Sequence, residues 1–100
     1  MDAANLLEGA LLETRSVANE LPTGLEQGSE EQAKVIWLAA QLSNVEASLQ
    51  AMLDDIEAGC SLTEMGFFGT EFEEMVDDMM VQIASLKGLI RTMKSIGQGA

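Results

Sequence analysis

The sequence predicts an all-α fold: an antiparallel helical hairpin with a shorter N-terminal helix, a three-helix bundle that dimerisation would complete. Two observations predict it. Ala, Leu, Met, Glu and Gln, all good helix formers, fill three long segments, which the one proline, Pro22, and glycines within 24–28, 59–69 and 97–99 separate and end. Within each segment apolar residues recur at every third or fourth position, the spacing of one helix face. Helices are expected over about 2–20, 29–58 and 70–96, in a single domain covering residues 1–100.

The first helix, "MDAANLLEGALLETRSVANELP", has the weakest seam: Ala3, Leu7, Ala10, Thr14, Val17 and Leu21. It is expected to lie against the hairpin. The second opens on Ser29 with Gln32, the capping-box spacing that satisfies the free amides of a first turn. Val35, Leu38, Leu42, Val45, Leu49, Met52 and Ile56 then form an unbroken heptad seam, and Gly59 stands where a left-handed C-terminal cap belongs. The connection 59–69 follows. In the third helix Thr70 and Glu73 repeat the capping-box spacing, Phe72, Val76, Met79, Ile83, Leu86, Ile90 and Met93 form the seam, and Gly97 is expected to end it. Acids at its start and Lys87, Arg91 and Lys94 toward its end match the helix dipole. At 1.5 Å per residue the two long helices reach about 45 and 40 Å, a coiled-coil-like hairpin.

A second stripe runs along the middle helix. Ala33, Trp37, Ala40, Asn44, Ala47 and Ala51 also step by four and three, on a line about 165° from the first seam. Small residues admit another helix closely, Trp37 is a large anchor, and Asn44 is a candidate register-setting polar group. Two coverings fit this dimer or helix-packing stripe: the first helix of the same chain, or a second copy that buries Trp37 at a homodimer interface.

Composition removes several function classes. Hydrophobic residues at 47% are too many for a disordered chain even with a net charge of −12. Seventeen acids against five bases repel the chain from DNA, RNA and anionic membranes, so neither direct nucleic-acid binding nor membrane binding is expected; a protein partner with a basic surface is. The opening "MDAANLLEGALLE" carries no basic leader segment, and "VIWLAAQL" is too short to span a bilayer. The single cysteine, Cys60, can form no intrachain disulfide, which suits a reducing compartment. The expected location is the cytoplasm of a bacterium or a phage-infected host cell.

Catalysis is tested by inventory. With no histidine and no tyrosine, histidine general catalysis, Ser-His or Cys-His pairs and histidine metal sites are all missing. Cys60 reads as a loop filler, and "GSEEQAK" lacks the spacing of a phosphate-binding loop. "DDIEAGCSLTEM" resembles a calcium loop in composition alone, because Ile56, Ala58 and Met65 occupy ligand positions. No enzyme, cofactor or metal is expected.

The acids group at one end. Asp54, Asp55, Glu57 and Glu64 precede the third helix, and Glu71, Glu73, Glu74, Asp77 and Asp78 fall in an arc of about 160° opposite its seam. Along that helix they give one charge per roughly 2 Å, close to the density of duplex DNA. In "MGFFG", Phe67 and Phe68 sit at the hairpin tip, either folded back to plug the bundle or exposed as an aromatic anchor, with Met80 and Val81 extending the patch.

Trp37 lies within a helix and is followed by "LA", so the Trp-x-Gly turn of small secreted helical hairpins is absent. In size and acidity the chain is similar to the short helical chaperones and adaptors of bacterial type III secretion. In overall character it also resembles the small acidic phage proteins that disable nucleic-acid machinery, anti-CRISPR inhibitors among them. That resemblance implies a non-enzymatic inhibitor or regulator, a nucleic-acid mimic whose acidic face occupies a basic nucleic-acid-binding surface. The alternative is a helical adaptor, chaperone or oligomerisation module that works through its apolar stripe.

Overall fold

The computed structural model describes residues 2–98 and forms three helices, α1 (Ala3–Ala18), α2 (Glu30–Glu57) and α3 (Glu71–Gln98). Among the described residues there is no strand.

Local chemistry starts and stops each helix. Asp2 caps α1, its carboxylate accepting from the backbone N–H of Ala4 at 3.0 Å and of Asn5 at 3.5 Å. Asp2→Ala is therefore expected to lower stability by about 0.5–2 kcal/mol in a denaturant titration, with α1 fraying first. Ser29 accepts from the N–H of Gln32 at 3.1 Å as expected, but the Gln32 side chain reaches back to the N–H of Gly28, at 2.6 Å, one residue earlier than a standard box. Gly59, at φ +99°, takes the left-handed position that ends α2.

Two expectations for α3 are corrected. The Thr70 hydroxyl donates to the Glu74 carboxylate at 3.2 Å, and Glu71, not Glu73, reaches back to accept from the N–H of Phe68 at 3.1 Å. The reciprocal box lies earlier, in the connection: Ser61 accepts from the N–H of Glu64 at 3.2 Å, while Glu64 accepts from the Ser61 hydroxyl at 3.1 Å. Gly97 lies inside α3, which runs to Gln98. A glycine costs a helix only about 1 kcal/mol, too little by itself to end it.

The three seams meet in one core. α1 contributes Leu7, Ala10, Leu11 and Val17, α2 contributes Leu38, Leu42, Val45, Leu49 and Leu53, and α3 contributes Phe72, Val76, Ile83, Leu86 and Ile90. Thr14 is buried with them, and its hydroxyl donates to the Ala10 carbonyl at 2.7 Å, so among the described residues no buried side-chain polar atom lacks a partner. Ion pairs fix how α1 lies. Arg15 reaches Glu46 at 3.4 Å and the Gln50 side chain at 3.4 Å, while Lys87 meets Glu13 at 3.4 Å and Arg91 meets Glu20 at 3.3 Å. These pairs set α1 antiparallel to α2 and parallel to α3; being partly to largely exposed, they orient it more than they stabilise it.

Length then decides the shape. At 1.5 Å per residue α1 is about 24 Å long and its neighbours about 42 Å. With Arg15 level with Glu46 and Gln50, the start of α1 lies beside the connection between α2 and α3, and its end lies beside the middle of α2. The molecule therefore has three helices at the tip end and two at the other, within an envelope of 50 × 20 × 17 Å.

Candidate functional site

Two surfaces stand out, and the fold sets them apart. The first is the tip. Phe67 is half-buried and packs edge-on against the buried Phe72 ring, with centroids 5.4 Å apart and planes at 78°. Its backbone N–H donates to the Leu62 carbonyl at 2.9 Å. Phe68 points outward and is 60% exposed. The expected plug and the expected anchor are thus neighbouring residues. The divergence has a backbone cause: Gly66 at φ +94° and Gly69 at φ +59° bracket the pair with left-handed turns, which aim consecutive side chains to opposite sides.

Around the tip stand the acids. Asp54, Asp55, Glu57, Glu64, Glu71, Glu73, Glu74, Asp77 and Asp78 are all exposed. Asp54 accepts from the Gln50 amide at 2.9 Å, and Glu64, Glu71 and Glu74 make the local bonds described above. None of the nine pairs with a cation among the described residues; the three ion pairs use Glu13, Glu20 and Glu46 instead. The reason lies in the sequence, since from Val35 to Leu86 there are ten acids and no base. Three segments carry these acids, α2, the connection and α3, which together make a belt of exposed charge at this end. Val81, 67% exposed, and Met80 add apolar surface beside the belt. No group of three or more Cys, Asp or Glu side chains is arranged to hold a metal ion among the described residues.

The second surface is the stripe on α2. Ala33, Trp37, Ala40, Asn44, Ala47 and Ala51 lie along it, and Trp37 is 53% exposed. Of the two coverings the sequence allows, the first helix of the same chain is not the one seen, since all six residues are exposed. α1 lies instead over the groove between α2 and α3, where its seam meets theirs. A helix with one narrow apolar face buries more by entering a groove between two seams than by lying on a row of alanines.

Next to Trp37 is a groove that the heptad pattern does not reveal. Lys34, Trp37, Leu38, Leu89, Thr92 and Met93 line a volume of about 280 Å³ between α2 and α3, on the stretch that α1 does not reach. Leu89, 52% exposed, and Ile36, 62% exposed, lie off both heptad lines. Their signal in the sequence is that they are large apolar residues outside the seams. No family model, no curated protein and no solved structure matches the chain.

Proposed function

We propose that this protein is a non-enzymatic inhibitor or regulator that sets its acidic tip against the basic, nucleic-acid-binding surface of a protein partner and excludes DNA or RNA from it. One observation carries the reading: nine exposed carboxylates at one end have no cationic partner among the described residues, while the pairs that do form lie elsewhere. Like-charge neighbours at i,i+4, such as Glu73 with Asp77 and Glu74 with Asp78, cost the helix a few tenths of a kcal/mol each. A basic groove would turn that cost into attraction. Phe68, exposed between Glu64 and Glu71 in the chain, supplies an apolar contact within the charged rim, the usual division of labour at a protein interface.

Attraction of this kind is screened by salt and competes with nucleic acid. Immobilised protein is therefore expected to retain a nucleic-acid-binding protein from a bacterial lysate at about 50 mM salt and to release it by about 500 mM. Added duplex DNA or RNA should displace the same protein at low salt. Partners that resist both salt and nucleic acid would contradict the proposal.

A further inference from the structure

The α2 stripe has no cover within the described residues, and its own residues specify what fits it. Between Ala33 and Ala51 the only charged residues are Lys34 and Glu46. Both lie about 100° or more around the helix from the stripe's centre, and Glu46 is engaged by Arg15. In a chain of net charge −12, this uncharged face about 27 Å long is where a like-charged molecule can approach without repulsion.

We propose that it pairs with the same face of a second copy, antiparallel, about a two-fold axis level with Leu42. The spacing of the stripe reads identically in both directions. Antiparallel pairing therefore sets Ala33 opposite Ala51 of the second copy, Trp37 opposite Ala47, and Ala40 opposite Asn44. Each large indole meets a small residue, and the remaining alanines let the backbones approach. Slipping by one heptad is worse in either direction: one slip turns Trp37 toward Asp54, and the other sets Ala47 against Glu30 and carries Ala51 past the start of the other α2.

Charge selects the same orientation. Lys34, Arg91 and Lys94 lie toward the end of the hairpin away from the tip, where with Glu20, Glu26, Glu30 and Glu31 they leave that end close to neutral, while the tip half is strongly acidic. An antiparallel pair lays that near-neutral end of each copy along the acidic half of the other. It also holds the C-termini of the two α2 helices about 45 Å apart, several screening lengths. Parallel pairing would stack acid on acid. The apolar surface continues from Trp37 onto the exposed Leu89, which widens the interface beyond a single helix.

The test uses the isolated chain, so it does not depend on any partner of the acidic tip. Sedimentation and the emission of the single tryptophan are followed from about 1 to about 200 μM. The expected result is a dimer whose formation shifts Trp37 emission to the blue, and an Ala47→Glu chain that stays monomeric with unchanged helical circular dichroism, since Ala47 lies outside the core of the single chain. In a Cys60→Ser background, Ala40→Cys and Asn44→Cys chains should cross-link when mixed and not when alone. A wild-type chain monomeric throughout, an Ala47→Glu dimer, cross-linking of either cysteine chain by itself, or Trp37 covered only after a different protein is added would each overturn the proposal.

Discussion

Phe72→Ala is expected to lower the free energy of unfolding by about 3–5 kcal/mol, a large share of what a domain of this size has. Phe72 is 1% exposed and stands where α3 begins, with the edge of the Phe67 ring against its own. Removing it leaves a cavity at the tip and takes away the platform on which the connection folds. Phe67→Ala loses a half-buried ring and the aromatic pair, so about 1–3 kcal/mol is expected. Phe68→Ala should fall within about 0.5 kcal/mol of the parent, because the side chain is mostly in water already. Denaturant midpoints of the three variants check the order. Equal losses at Phe67 and Phe68 would contradict the division of the tip into plug and anchor.

That division marks the limit of what the sequence conveys. Heptad spacing locates the seams of all three helices, because a position every three or four residues can face a core in only one way. It misses Leu11 and Leu53, which flank their seams and are buried only because α1 lies over that side of α2. Periodicity also does not say which of two apolar lines on α2 the first helix chooses. The choice turns on burial in the groove between the α2 and α3 seams, with pairs far apart in sequence, Arg15 with Glu46 and Glu13 with Lys87, orienting α1 there, and no local pattern encodes either. Within the connection, residue type offers no means of separating Phe67 from Phe68. Their fates depend on the turns at Gly66 and Gly69 and on the Ser61–Glu64 box, whose Ser-x-x-Glu spacing is legible in the sequence but stands in a connection, not before a long helix. The acidic belt is the part most nearly readable from composition, since exposure is the default for unpaired carboxylates.

Substituting Glu73, Glu74, Asp77 and Asp78 together is expected to have the largest effect on partner binding. Each exposed charge pair is worth about 0.5–1 kcal/mol after screening, so removing four takes away roughly 2–4 kcal/mol, a drop of about 30- to 1,000-fold. Neutral Gln and Asn replacements test loss of attraction; lysine replacements add repulsion, bring the net charge from −12 to −4, and should abolish binding outright. The fold sets the necessary control. Glu73 and Glu74 sit in the first turn of α3, where a negative charge is favourable by about 0.3–1 kcal/mol, so lysine there weakens the helix start. Relief of repulsion between Glu73 and Asp77, and between Glu74 and Asp78, acts the other way by a few tenths in the neutral variant, whereas the lysine variant keeps like charges at the same spacings. The net change in stability is small beside the loss of binding, and circular dichroism should remain helical in both variants. Every carboxylate removed from the interface also flattens the dependence of affinity on salt, a signature that simple misfolding does not produce. Full-strength binding by the neutral variant, with its fold intact, would move the function away from the acidic tip.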